Sequence, residues 1–321
     1  MVVLGSVVAI VIFSFARRPL FEGNGEASGF SHPLTLWVTG AEDGGQAEAV
    51  ARQLAGCWQE DGRSVTVGVL PGGSSSAVLD FLDRVHDTPD ELLLVTDTTL
   101  SDIARDRADR LLPEAQERAR RALGLLADAA PITVLQGDRL ALAVRAGSPV
   151  RTTPQLLALL RSQPSRPLFG IAADSWLEGN LAALVQGAGL HGDMPYGLFT
   201  SSRSAVLALD AGQTQAVLAP SGAIEEELGH ARPRELAWPL EGGHAPRTWV
   251  AVIAPTGLNA GAIATLREQA HGACASAAWS RLREGGLATI APAGGLGGFV
   301  SEGTREAARL QALAAQTLRP Y

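Results

Sequence analysis

The most constraining feature of this chain is a phrase that recurs along it. A short apolar, β-branched run ends at Gly or Pro and is followed by a stretch of helical periodicity. Residues 34–39 (LTLWVT), closed by Gly40, read as a buried strand. Residues 46–57 then set Ala49, Val50, Leu54 and Cys57 on one helical face. The same reading predicts strands at 65–70, 92–96, 132–136, 140–146, 168–172, 215–219 and 249–254. It predicts helices at 74–84, 153–162, 176–188, 202–211, 259–278 and 304–318, with Gly189 and Gly212 as stops and Ser74–Ser76, Thr152 or Thr153 as caps. Residues 100–128 read as one long amphipathic stretch with i,i+4 charge pairs on a solvated face. Such alternation means an α/β fold with largely parallel sheets. No repeat of fixed period is present.

Length and charge narrow the function classes. A chain of 321 residues exceeds one average core, so two domains are expected. The 26 basic residues are all Arg and face 33 acidic ones, a net charge of −7 with no long basic run, which argues against a nucleic-acid binder. Lys is absent, so no phosphate-binding GxxxxGK[ST] loop exists. Cys57 and Cys274 cannot build a disulfide framework or a multi-Cys zinc site, and sequence alone does not give the distance between them. The six His, at 32, 86, 191, 230, 244 and 271, have no metal-type spacing, so neither metal nor cofactor is expected. Gly73-Ser74-Ser75-Ser76-Ala77 lacks the second Gly of a nucleophile elbow. The chain therefore does not read as an enzyme. A hydrolase using Ser75 or Ser175 stays as an alternative, because triads assemble in space.

The amino terminus points to export. Met1 to Phe15 (MVVLGSVVAIVIFSF) is apolar throughout and ends before Arg17, Arg18 and Pro19. It is short for a spanning helix and suits the apolar region of a secretory signal. No basic residue precedes it and two follow, which is the reverse of the usual signal. It is read as a signal or uncleaved anchor, with residues 22–31 (EGNGEASGFS) as a flexible tether. The expected location is the extracytoplasmic face of the cell membrane.

What remains is a binding site made from loops at the carboxyl ends of strands, where helix amides suit anions. Two loops qualify. The first is residues 43–48 (DGGQAE), where Gly44 and Gly45 allow close approach to the main chain. The second is residues 172–179 (AADSWLEG), where Asp174 and Ser175 are either ligand-facing or N-caps.

These residues, in this order, resemble the substrate-binding receptors of tripartite tricarboxylate transporters, the Bug-type solute receptors. Gly44-Gly45-Gln46-Ala47-Glu48-Ala49-Val50-Ala51-Arg52 resembles that family's GGxxDxxAR, with Glu48 at the Asp position. Leu70-Pro71-Gly72-Gly73-Ser74 and Pro89-Asp90-Glu91-Leu92-Leu93-Leu94 are similar to its NxPGxGG and PDGYTLL segments. Residues 140–149 (LALAVRAGSP) resemble its hinge strand and RxDSP turn. Pro195-Tyr196 with residues 205–215, and then Ala254-Pro255-Thr256-Gly257, extend the similarity from about residue 33 to the end of the chain.

The resemblance implies a two-lobed Venus flytrap of the periplasmic-binding-protein type, type II-like, with hinge strands at 140–146 and 249–254. Lobe 1 would hold 32–138 and 249–321, lobe 2 would hold 139–248, and 1–31 would be anchor and tether. A small organic acid would lie between Asp43, Gly44, Gly45, Gln46, Ala47 and Glu48 on one jaw and Ala173, Asp174, Ser175 and Tyr196 on the other. The implied protein is a monomer that hands its ligand to integral membrane permease subunits. A membrane-anchored sensory ectodomain is the alternative outside transport.

The sequence also departs from the family. Glu42, Asp43, Glu48, Asp174 and Glu178 crowd the two loops, and no basic residue is nearer the first loop than Arg52. At ~4 Å and an effective dielectric of ~20, one like-charge contact costs ~4 kcal/mol, roughly three decades of affinity. The expectation is therefore an amino acid, amide or amine-bearing acid, not a simple di- or tricarboxylate.

Overall fold

The computed structural model describes residues 33–39, 46–60, 62–70, 74–85, 90–109, 112–163, 168–190, 194–228, 233–238, 245–255, 257–276, 279, 288–290 and 296–320. The apolar segment at 1–15, its tether at 22–31, and Glu42, Asp43, Gly44, Gly45, Pro71, Gly72, Gly73, Pro89 and Thr256 lie outside the described residues.

Two half-sheets share one long strand. The first contains β1 (Leu34–Thr39), β2 (Val65–Leu70), β3 (Glu91–Thr96) and β9 (Arg247–Ala254), and the second contains β5 (Phe169–Ala172), β6 (Met194–Phe199) and β7 (Ala216–Pro220). Between them runs β4 (Ala130–Val144), which pairs β9 through its first part and β7 through its last. β8 (Arg234–Leu236) and β10 (Ala288–Ile290) also lie against β4.

Alternation along each strand sorts the cores. In the first half, Leu34, Leu36 and Val38 of β1, with Leu92, Leu94, Val250 and Val252, face α1 (Gln46–Glu60) and α9 (Ala260–Ala275). Leu93, Val95, Ala251 and Ile253 face the opposite way, toward α2 (Ser74–Arg84), α3 (Asp97–Ala108) and α4 (Pro113–Asp128). In the second half, Leu140, Leu142 and Val144 pack with α5 (Thr153–Ser162) and α6 (Ser175–Gly187). Ala141 and Ala143 pack with α7 (Ser202–Asp210) and α8 (Ser221–Leu228). One strand thus feeds all four cores, and two strands that cross between the halves, β4 and β9, lie side by side.

Several expectations change. The stretch 100–128 is two helices, not one. The first begins three residues earlier, at Asp97, because Thr96 caps it, and Pro113 starts the second at a position where a missing N–H costs nothing. The strands expected at 132–136 and 140–146 are one strand, with a register shift between Gln136 and Arg139 in place of a turn. The sheet is mixed, not largely parallel: β3–β9, β4–β9 and β4–β7 are all antiparallel. Gly189 and Gly212 do follow helix ends, at φ 70° and 74°.

The C-terminal segment ties the halves together. α10 (Leu296–Thr317) lays Ala307 in the core of the first half and Leu310 in that of the second. β11 (Leu318–Pro320) then pairs in parallel with β6. The tail of 249–321, expected with lobe 1, therefore adds a strand to the second sheet. Gly179 permits this docking, since a Cβ there would come 2.5 Å from Leu310 Cβ.

Candidate functional site

Three strand ends converge where the two halves meet. β1 ends at Thr39, whose hydroxyl lies 2.8 Å from that of Thr99 in the first turn of α3. β3 runs directly into α3 through Thr96. The Thr96 side chain accepts from the Thr99 amide at 3.0 Å, and the Thr99 hydroxyl accepts from the Thr96 amide at 3.2 Å. This reciprocal box satisfies two orphan donors without any charge. β5 ends at Ala172, and the chain turns into α6 with Ala173 N donating to Phe199 O at 2.7 Å.

Asp174 is the N-cap of α6. One carboxylate oxygen accepts from the Trp176 amide at 2.8 Å and the Leu177 amide at 3.2 Å. The other accepts from the hydroxyl of Thr98, 76 residues earlier, at 2.8 Å. That bond joins the first half of the molecule to the second. The same Thr98 donates its amide to Asp97 at 2.8 Å, so one threonine bridges two carboxyl groups.

Asp97 is only 6% exposed, and its second oxygen accepts from the Trp249 amide of β9 at 3.2 Å. Burial pushes its pKa well above the ordinary carboxylate range, the charge of Asp174 adds to the rise, and the Thr98 and Trp249 amides oppose it. Asp174 is raised mainly by burial, against the bonds from Thr98, Leu177 and Trp176. Further polar bonds lie along α3. Ser74 donates to Asp102 at 2.9 Å and Ser75 to Asp106 at 2.5 Å, tying α2 to α3. Arg105 bonds Asp102 at 3.0 Å. Half-buried Glu178 is raised by desolvation and accepts a hydrogen bond from the Tyr196 hydroxyl.

The residues expected to form the site fall as follows. Asp43, Gly44 and Gly45 lie outside the described residues. Gln46 opens α1, Ala47 packs against the first core, and Glu48 pairs with Arg52 one turn along. Ala173 is exposed, and Ser175 is the first residue of α6. Asp174 takes the capping alternative and also reaches Thr98. Tyr196 is 2% exposed and is directed at Glu178; that neighbour and burial raise its pKa. The sequence reading missed Asp97, Thr98 and Thr99. The available signal was the TDTT run directly after a predicted strand. Among the described residues, no group of His, Cys, Asp and Glu could hold a metal ion, and no helix is long and apolar enough to cross a membrane.

No protein-family model matches the sequence, and no curated protein does. Solved structures do. A periplasmic transporter superposes with a TM-score of 0.67 at 16% identity, covering 89% of this chain and 98% of its own. An R. palustris protein with adipate, Rpa4515, gives 0.66 at 18% identity over 89% and 98%. The periplasmic binding protein BugD gives 0.63 at 15% identity over 89% and 99%. The fold is that of the periplasmic binding proteins. In α/β folds of this kind, ligands lie beyond the carboxyl ends of strands, where Thr39, Thr96 and Ala172 converge here.

Proposed function

We propose that this chain is a solute-binding receptor that works outside the cytoplasm. It captures a small organic acid or amino-acid-like ligand between its two halves and delivers it to integral membrane permease subunits. The observation that carries this reading is the Thr98–Asp174 bond, which holds the first turns of α3 and α6 against each other beside the end of β1. Two adjacent crossing strands suit hinge closure, and main-chain amides at the start of α1 suit a ligand carboxylate. The match to the Rpa4515 structure with adipate supports an acid as the ligand class.

On this reading, lobe 1 comprises most of 32–138 with 249–317, lobe 2 comprises 139–248, and β11 crosses to join the second. The ligand contacts lie in Gly44, Gly45, Gln46, Ala47 and Glu48 on one side and at Ala173, Asp174 and Ser175 on the other. The test is native mass spectrometry of the exported, purified chain. A co-purifying small acid or amino acid, displaced in competition by its own pure form, is the expected result. A chain that carries none, and that shows no heat of binding with a panel of acids and amino acids, refutes the reading.

A further inference from the structure

The chain has two cysteines, and the fold brings both to one place. Cys57 is 2% exposed and Cys274 is 9% exposed, and both lie as thiols in the core that α1 and α9 share. On α1 the buried stripe runs through Val50, Leu54, Cys57 and Trp58. On α9 it runs through Leu266, Ala270, Ala273 and Cys274. Each cysteine thus sits on the stripe by which its helix packs into this core.

Three bonds fix how the stripes meet. The Trp58 indole donates to the Gln269 carbonyl at 3.0 Å, and the Arg63 guanidinium donates to the Gln269 side chain. Further along α9, the hydroxyl of its cap, Ser276, donates to the Cys57 sulfur at 3.5 Å. The segment from Gln269 to Ser276 therefore lies along Cys57 and Trp58, and Cys274 falls inside that segment. The thiols also sense each other. Burial pushes the Cys274 thiol up to about 12, and neighbouring Cys57 adds to the rise.

We propose that Cys57 and Cys274 form a disulfide that staples α1 to α9 in the working protein. The proposal takes from the receptor reading only the compartment, since thiol pairs close and persist outside the cytoplasm. Two cysteines allow one intramolecular bridge, so no wrong pairing competes with it. The bridge closes a long loop and thereby constrains the unfolded chain.

The oxidant is an organic disulfide, carried by a thiol-oxidising protein of that compartment or supplied as oxidised glutathione in the test tube. One cysteine thiolate attacks the S–S bond of the oxidant, giving a mixed disulfide and releasing one oxidant thiol. The second cysteine thiolate then attacks the first cysteine's sulfur, forming the Cys57–Cys274 bond and releasing the second oxidant thiol. The two protein thiols lose two electrons and two protons, and the oxidant gains both. Thiols this buried carry almost no thiolate once the core has closed, so the bond forms during folding and is kept afterwards.

The test is mass spectrometry of the full chain in two samples: the exported protein, and reduced, unfolded protein refolded with oxidised and reduced glutathione. Each is denatured in excess iodoacetamide without reductant. The expected result in both is a monomer that takes up no label and is lighter than the reduced chain by two hydrogens. After reduction it takes up two labels, and digestion without reduction yields one peptide pair joined through Cys57 and Cys274. Reductant should also lower the urea midpoint of the parent by about 1 M and leave that of the Cys57→Ala, Cys274→Ala double variant unchanged. Two labels on either sample before reduction, or a bridge between two copies of the chain, overturns the proposal. A sample that is labelled twice and still carries a solute overturns the staple and spares the receptor reading. A paired chain that binds no acid or amino acid overturns the receptor reading and leaves the staple standing.

Discussion

Helices α3 and α6 start at the same junction and solve the same problem with different chemistry. Each must satisfy amides that have no partner within the helix. α3 uses hydroxyls, Thr96 and Thr99, and buries its acid, Asp97, against the β9 main chain. α6 uses a carboxylate that is shared with the opposite helix. A hydroxyl cap satisfies donors and leaves the positive end of the helix dipole intact, while a carboxylate cap cancels it. The comparison teaches that both helix starts are satisfied from within the chain, α3 by two hydroxyls and Asp97 and α6 by Asp174 alone.

The harshest way to break the comparison is to move α6 without touching its cap. Gly179→Val places a Cβ 2.5 Å from Leu310 Cβ, an overlap that α10 can relieve only by shifting. The expected cost is about 3 kcal/mol, read as a lower midpoint in urea denaturation. An unchanged midpoint means that α10 does not fix α6.

Next come the caps themselves. Asp174→Ala removes the cap and the bond to Thr98, and should cost about 2 kcal/mol; Thr96→Ala loses only a hydroxyl cap and should cost about 1 kcal/mol. Equal losses in the same denaturation series would erase the contrast drawn between the two helix starts.

The smallest effect sharpens the role of Asp97, and its sign is fixed by linkage. A carboxyl whose folded pKa is raised keeps its proton in the native state where the unfolded chain has lost it. Its contribution to stability therefore falls as pH climbs from the ordinary carboxylate range through the folded value. Asp97→Asn removes that dependence. Its melting temperature relative to the parent should rise as pH climbs from the ordinary carboxylate range, read from melts taken across a pH series. A difference that stays flat, or that falls with pH, contradicts the assignment.

Much of the fold was legible because its signals are local. Strands at Leu34–Thr39 and Val65–Leu70 and the helix at Ser74–Arg84 stand where apolar runs and Gly punctuation put them. β6 escaped because Pro195 and Gly197 interrupt its run, and α8 because eight residues give little periodicity. β11 escaped because only its partner, 124 positions earlier at Met194 for Leu318, makes it a strand. The site follows the same division. The start of α6 was readable from the DS pair at 174–175, yet whether Asp174 caps or faces outward depended on its neighbours in space. Thr98, the group that decides how that carboxylate is used, comes from another half of the molecule, and no local pattern couples the two.

The central claim is that one small solute is held from both sides of the junction at once. Hydrogen–deuterium exchange of the full chain, with and without the solute found by native mass spectrometry, tests it most directly. The account predicts slowed exchange together at the first turns of α1, α3 and α6, around residues 46–48, 97–99 and 175–177. Slowing confined to one half, or at neither helix start, would contradict it.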